Sequence, residues 1–379
     1  QRIYELYDNY SSSSKPWLTT IKSEPILDSK QDQFSFETFS YRQVIELASV
    51  TATTLASLKL NPGSRILIIL SPDIHLYVYH LACLLNNYTP IIYQPPNFKQ
   101  STSDYYHMLS HILSSSQAEY VISSTTELKK ANFSTIINTK QILIDTLIHN
   151  QVFSVELLTK QISSQSPHNT ILPYPSGTKG AKKGTAFGSE EILKHINILS
   201  DTLNLKPSDK IISWLPLYHD MGFVACWLLP LLTQTPLYSM SAHEWIKNPI
   251  LFFEAVTHFQ PTLCWLPNFA FSLFTKRISV KANIKLNSLR SIISCSEFVS
   301  YRTCEDFAKK FQVFGLQKSV ISACYAMAEN IFAVTQMHTG HAHQILIIDK
   351  ELFSQGRIQR AYYSPNKTVT LMSSGKATS

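Results

Sequence analysis

Three stretches carry residue types and spacings able to do chemistry. Tyr174-Pro175-Ser176-Gly177-Thr178-Lys179-Gly180-Ala181-Lys182-Lys183-Gly184 packs hydroxyls, three glycines and three lysines into eleven residues. Such a loop suits a polyphosphate: glycines let backbone N–H groups close on phosphate oxygens, hydroxyls donate, and lysine neutralises charge. It is not the G-x-x-x-x-G-K-[ST] phosphate loop. On residue types alone, a phosphate cradle and a solvated surface loop are equally open readings. In Trp214 to Gly222, His219 stands between Tyr218 and Asp220. An imidazole there can move a proton or satisfy a structural hydrogen bond, and the residues alone favour the second. Asp220 can equally cap a helix starting at Met221. His338, His341 and His343 fall within six residues, but without nearby Cys or acidic ligands an exposed turn fits better than a metal site.

The elements that must position these residues alternate. Arg65 to Leu70 is a buried strand entered through Asn61-Pro62-Gly63, and the helix after it faces inward with Tyr77, Leu81, Leu84 and Leu85. Tyr120–Ile122 and Ile142–Ile144 are further short strands. Ser189 is an expected N-cap for a helix carrying Ile192, Leu193, Ile196 and Leu199, with Glu190 and Glu191 in its first turn. Ile211–Trp214, Thr262–Trp265 and Ser291–Ser294 read as strands, with helices near Leu251–His258 and Tyr301–Phe311. This alternation predicts an α/β fold of layered, mostly parallel β-sheets flanked by helices. After Asn330 the pattern turns strand-rich, at Phe332–Val334, Ile345–Ile348 and Val369–Met372, and reads as an incomplete β part. The expected domains are residues 1–168, 169–335 and 336–379.

Composition narrows the class. Apolar residues make up 44% and charged residues 16% of 379, which excludes a disordered, collagenous or coiled-coil chain. The net charge of +7 is scattered rather than striped, which argues against a nucleic-acid protein. No apolar run reaches the ~18 residues of a membrane span. Six cysteines without a C-x-x-C pair point to a reducing, cytoplasmic setting. Glycine occurs only 10 times, well below the ~7% of an average protein. The first residue is Gln1, and the chain reads as a trimmed piece.

The loop at Ser176 to Gly184 resembles the S-G-[ST]-[ST]-G-x-P-K-G signature of the adenylate-forming superfamily, with Lys179 replacing a hydroxyl, Lys182 replacing proline and Lys183 on the family lysine. Trp214-Leu215-Pro216-Leu217-Tyr218-His219-Asp220-Met221-Gly222 resembles W-L-P-x-Y-H-D-M-G-L of the fatty-acyl-AMP ligases, and Pro267-Asn268-Phe269-Ala270 resembles their P-N-F-A-Y. Phe39-Ser40-Tyr41 and Ala82-Cys83-Leu84 through Pro90 are similar to the family's first helix and A-C-L-x-A-G-x-x-x-V-P turn, with Asn86-Asn87 in place of Ala-Gly. Val334-Thr335-Gln336 through Ser373-Ser374-Gly375-Lys376 is similar to the segment that sets acyl-AMP ligases apart from acyl-CoA ligases. The resemblance covers almost the whole chain.

What the resemblance implies is activation of a fatty acid by ATP and Mg²⁺ to an acyl adenylate, then transfer to the phosphopantetheine thiol of an acyl carrier protein. It implies Ser176, Gly177, Thr178, Gly180 and Lys183 as the triphosphate loop, and Ser294, Cys295, Ser296, Glu297, Tyr325 and Ala326 around the nucleotide. Glu329 becomes the Mg²⁺ carboxylate, and His219, Lys183 and Glu329 the catalytic groups. Trp214, Tyr218, His219, Asp220, Met221, Asn268 and Phe269 line the acyl side. Two departures stand out. Cys295-Ser296-Glu297-Phe298 replaces Gly-Ala-Glu-Pro, and Tyr325-Ala326-Met327-Ala328-Glu329 lacks the usual glycine after tyrosine. They raise a rival expectation, a catalytically impaired relative that binds an acyl group, a nucleotide or a carrier protein. A further alternative is an acyl-CoA ligase. The family's acidic ribose residue, hinge and mobile C-terminal domain are not found in the 379 residues, so this piece is expected to turn over slowly.

Overall fold

The computed structural model describes residues 14–24, 33–96, 101–127, 140–143, 184–340 and 344–378. The chain divides into two compact units. The first comprises residues 1–20, 36–195 and 216–223, and the second residues 21–35, 196–215 and 224–379. Strands β1 (Pro16–Glu24) and β2 (Gln33–Ser40) come first.

Four parallel strands centre the first unit: β3 (Arg65–Ile69), β4 (Thr89–Ile92), β5 (Tyr120–Ser123) and β6 (Lys140–Leu143), in the order β4-β3-β5-β6. Ile66 to Ile69 are all buried, as a strand covered on both faces requires. Helix α1 (Tyr41–Ser57) starts in a reciprocal cap. The Ser40 hydroxyl accepts from the Gln43 N–H at 3.2 Å, and the Gln43 side chain accepts from the Ser40 N–H at 2.8 Å. It packs on α2 (Ile74–Leu85), which is buried on nearly all sides. Helix α3 (Thr102–Ser116) sets Tyr105, Leu109 and Ile112 against Leu67, Ile69, Ile91 and Val121 of the sheet. Each such side chain contributes ~1.5–3 kcal/mol of burial.

The chain continues through α4 (Ser189–Thr202), which passes from the first unit into the second at Ile196, to β7 (Ile211–Ser213). A wide helical turn, Met221–Leu228, runs into α5 (Leu229–Thr233). Then come β8 (Leu237–Met240), α6 (Ala242–Lys247), α7 (Ile250–Phe259), β9 (Leu263–Pro267), α8 (Asn268–Arg277), β10 (Ser291–Cys295), α9 (Tyr301–Phe311), β11 (Ile321–Ala326) and β12 (Ala333–Gln336). The chain ends with β13 (Ile345–Asp349), α10 (Lys350–Ser354), β14 (Thr368–Met372) and β15 (Lys376–Ala377). The large sheet runs β15-β12-β11-β10-β9-β7-β8-β1-β2, while β13 and β14 form a separate antiparallel pair. Strands β8, β7, β9, β10 and β11 are parallel. Strand β12 runs antiparallel to β11, with a bulge at Tyr325/Ala326.

A buried phenylalanine cluster joins α7, α8 and α9. Phe253 and Phe274 lie 4.4 Å apart, Phe307 and Phe311 4.4 Å, and Phe271 and Phe307 5.0 Å. At the opposite side of the strands from their carboxyl ends, buried Asp209 accepts from Arg290 Nε at 2.7 Å and from Thr262 Oγ1 at 2.7 Å. This ties the starts of β7, β9 and β10 together. Two local expectations are corrected. Helix α4 already includes Ser189, with the Ile192 N–H bonded to the Gly188 carbonyl, so Ser189 is not outside the helix. The strand expected at Phe332–Val334 begins at Ala333 and runs to Gln336, because the chain first has to turn at Ile331.

Candidate functional site

Parallel pairing puts the carboxyl ends of β7, β9, β10 and β11 on one edge of the second unit, the edge where open α/β sheets bind ligands. Beyond β7 stands Trp214, whose ring stacks flat on Trp245 at 3.8 Å and 1°. Phe269, just beyond β9, meets both indoles edge-on, at 6.1 and 5.9 Å, and remains 45% exposed. Trp245 is fully buried and Trp214 nearly so, and Phe269 is the ring through which this apolar wall reaches the surface. Aromatic pairs of this kind add ~0.5–1.5 kcal/mol beyond their area.

Next along the edge, β10 ends in Ser294 and Cys295. The Ser294 hydroxyl is fully buried and has no protein hydrogen-bond partner, an orphaned polar atom at the end of the strand. Cys295 is fully buried, and the accessible part of the turn is Ser296 to Phe298. Ser296 adopts φ +70°. The turn brings the Glu297 carboxylate to the Phe269 N–H, at 3.1 Å. Asn268 in return accepts from the Ser300 N–H at 3.1 Å.

At the end of β11, Tyr325 is half exposed and offers a ring face. Ala326 lies at the bulge with an ordinary negative φ, so this position does not demand the left-handed backbone for which glycine is needed. Glu329 follows on a short helical turn and is exposed. Immediately after it, Ile331 has φ +65° and ψ −56°, and the Phe332 N–H bonds back to the Asn330 carbonyl at 2.7 Å. This is a three-residue turn of the strained hand, rare for a β-branched side chain, and such strain gathers at ligand sites.

In the first unit, the Tyr218–Met221 stretch forms its own small array. The His219 Nδ1 lies 2.6 Å from an Asp220 carboxylate oxygen. That same oxygen accepts from the Met221 N–H at 2.8 Å, which is a capping role for Asp220 at the helical turn that begins there. Burial raises the Tyr218 hydroxyl above its ordinary pKa, so it stays protonated and able to donate. The ring of His80, fully buried, packs edge-on to Phe223 at 5.3 Å. Burial depresses its pKa to about 3, so it is neutral.

Ser176, Gly177, Thr178, Gly180 and Lys183 lie outside the described residues, as do His341 and His343. The His338 Nδ1 sits 3.3 Å from the Thr202 carbonyl, a structural contact. The structure thus groups Trp214, Asn268, Phe269, Ser294, Cys295, Ser296 and Glu297 on one edge of the second unit. Trp245, which the sequence leaves open between core and acyl-side lining, stacks on Trp214, and two contacts escaped sequence reasoning: this stack and the Glu297 bond to Phe269, which joins residues 28 apart.

A nucleotide and Mg²⁺ fit these side chains. The half-open Tyr325 ring supplies a stacking face. Among the described residues no cluster of three metal-ligating side chains exists. A single exposed carboxylate, Glu329, suits a hard cation carried mainly by phosphates.

Comparison with known proteins places the chain. It matches the AMP-binding enzyme family over residues 24–358. The 4-hydroxyphenylalkanoate adenylyltransferase of Mycobacterium tuberculosis is 28% identical over 204 residues, covering 52% of this chain and 33% of that protein. The medium-chain fatty acid–acyl-carrier-protein ligase TtuA of Teredinibacter turnerae is 24% identical over 367 residues, 86% of this chain and 56% of TtuA. Among solved structures, the fatty acid AMP ligase from Legionella pneumophila superposes with a TM-score of 0.84 at 26% identity, over 99% of this chain and 63% of that one. A structure of the fatty acyl-adenylate ligase from L. pneumophila with acyl adenylate and pyrophosphate gives 0.83 at the same identity and coverage. The chain therefore spans between a third and two thirds of these relatives. With a match over most of its length, the chain belongs to the AMP-binding enzyme family, within the adenylate-forming superfamily.

Proposed function

We propose that the protein activates a fatty acid with ATP and passes the acyl group to the phosphopantetheine thiol of an acyl carrier protein. A carboxylate oxygen attacks the α-phosphorus of ATP, the bond from that phosphorus to the β-phosphate oxygen breaks, and pyrophosphate leaves. The thiol then displaces AMP from the acyl carbon. The carrying observation is the single sheet edge on which the Trp214–Trp245–Phe269 wall adjoins the exposed turn at Ser296 and Glu297 and the Tyr325 ring. An apolar wall suits an alkyl or aryl chain, and the polar turn beside it suits a nucleotide. The names of the similar ligases point the same way.

Within this reading each residue has a task. Tyr325 stacks on the base. Trp214 and Phe269 hold the acyl chain. On the acyl side of the reaction, the resemblance gives His219 a positioning role, with Asp220 fixing its ring. Lys183, the hydroxyls of Ser176 and Thr178, and the backbone at Gly177 and Gly180 take the triphosphate. Bringing two anions together is the barrier, and positive charge with in-line positioning lowers it. Glu329 would hold Mg²⁺, whose charge would neutralise phosphate oxygens when bound.

The test is direct. The 379-residue chain is incubated with ATP, Mg²⁺ and fatty acids of graded length, with a known fatty acid AMP ligase as control. Acyl adenylates are sought by mass spectrometry. Adenylate at a preferred chain length is the expected result. Adenylate with none of the acids, from folded protein, would sink the ligase reading and favour a binding protein on this fold. Acyl transfer to free coenzyme A, rather than to carrier protein, would move it to the acyl-CoA ligases.

A further inference from the structure

We infer that Glu297 is a positioning residue for the acyl chain and not a nucleotide contact: with Asn268 it forms a reciprocal clasp that fixes Phe269 against the tryptophan stack. This rests on the acyl-activating reading above and deepens it. Helix α8 begins after Pro267, which offers no side-chain cap. The first turn of a helix leaves N–H groups without partners. The Glu297 carboxylate, delivered from the neighbouring strand end, takes the one on Phe269 at 3.1 Å. An acidic group at a helix N-terminus is also favoured by the helix dipole. In the other direction Asn268 accepts from the Ser300 N–H at 3.1 Å, while the Ser300 hydroxyl accepts from the Thr303 N–H at 3.3 Å and caps α9. The two turns are therefore pinned crosswise, each by a side chain from the other.

What the clasp holds is Phe269. Its ring closes the edge of the Trp214–Trp245 stack, and its 45% exposure leaves it free to swing if its backbone is released. Glu297 places one carboxylate oxygen, Oε2, on this N–H. The turn that follows β10 thus holds the acyl wall through Glu297.

Three measurements on the 379-residue chain test this, using Glu297→Ala, Glu297→Gln and Asn268→Ala. Hydrogen exchange by mass spectrometry reads the Phe269 and Ser300 amides. Dodecanoate binding is followed by tryptophan fluorescence and ATP binding by calorimetry. Loss of one charged hydrogen bond predicts roughly tenfold faster exchange at Phe269 in Glu297→Ala. Dodecanoate Kd rises roughly tenfold, while ATP Kd stays within about twofold. Glu297→Gln, which retains an acceptor oxygen, restores both exchange and dodecanoate affinity. Asn268→Ala speeds exchange at Ser300. A residue that merely capped the helix would lower the melting temperature without splitting the two affinities. An ATP Kd that rises while dodecanoate is unmoved, or Phe269 exchange unchanged in Glu297→Ala, overturns the inference. These readouts need no turnover, so absence of acyl adenylate with any acid would count against the ligase reading alone.

Discussion

Asp209 and Arg290 show how much a single ion pair decides when it is enclosed. The Asp209 side chain is 1% exposed and the Arg290 side chain 23%. Burial pushes the carboxyl up, yet hydrogen bonds from Arg290, Thr262 and the Lys206 N–H, with the Arg290 charge, outweigh it and hold the pKa below the ordinary value. A depressed folded-state pKa gives stability that is complete above the unfolded value of ~3.9 and fades as pH falls through the lower folded value. Replacing Arg290 by Met leaves a buried carboxylate unpaired and should cost ~3–5 kcal/mol in urea denaturation at pH 7. That loss should shrink as pH drops below ~4. Glu305 makes the contrasting case at the surface. Its bond from Lys318, helped by Tyr301 and Lys309, lowers its carboxyl pKa to about 2 against a modest burial cost. Lys318→Met should return the Glu305 titration toward ~4.3 by NMR, with little change in stability because such pairs are solvent-screened.

At the scale of elements, the scarcity of glycine acquires a structural meaning. Helices α3, α5 and α7 end in Gln117, Gln234 and Gln260, all in the left-handed conformation at φ +52°, +57° and +53°. Glycine is the usual occupant there, and a residue with a Cβ costs ~1–2 kcal/mol in that region. Gln117→Gly and Gln260→Gly, both exposed, should therefore each stabilise by about 1 kcal/mol, read from denaturant midpoints. Asn87, the residue in place of the family's glycine, has φ +56°, and asparagine tolerates that region better than most. Gly375 is a position with no substitute. Its φ is +94°, and an added Cβ would fall 2.1 Å from the Gln336 carbonyl carbon. Gly375→Ala should break the pairing of β15 with β12 and speed exchange at the Thr378 N–H, which bonds the Val334 carbonyl at 3.0 Å.

For the whole molecule, the two departures from the family pattern carry less than their letters imply. Cys295 points into the core and Ala326 has ordinary backbone geometry. Neither position needs glycine's freedom. Cys295→Gly with Ala326→Gly should therefore leave ATP affinity within about threefold while lowering stability, through the small cavity left at Cys295. A large gain in affinity would mean that these side chains do obstruct the nucleotide. No helix among the described residues is long and apolar enough to cross a membrane.

Much was legible without coordinates. The buried run at Arg65–Leu70, the alternation of short strands with amphipathic helices, and the words at Trp214–Gly222 and Pro267–Ala270 determined the α/β class and the family, because periodicity and local motifs are written in neighbouring residues. Helix and strand ends slipped by a residue or two, as at Ser189 and Ala333, since caps and turns are settled by local hydrogen bonds that composition does not weigh. Tertiary structure alone decided what meets across the sheet edge. Trp245 joins Trp214 across 31 residues, and Glu297 reaches Phe269 across 28. It also decided that Cys295 faces inward, that Ser294 keeps a free hydroxyl, and that glutamine takes over glycine's place at helix ends. These facts depend on which strands lie side by side and which way each side chain faces, and neither is encoded in the order of adjacent residues.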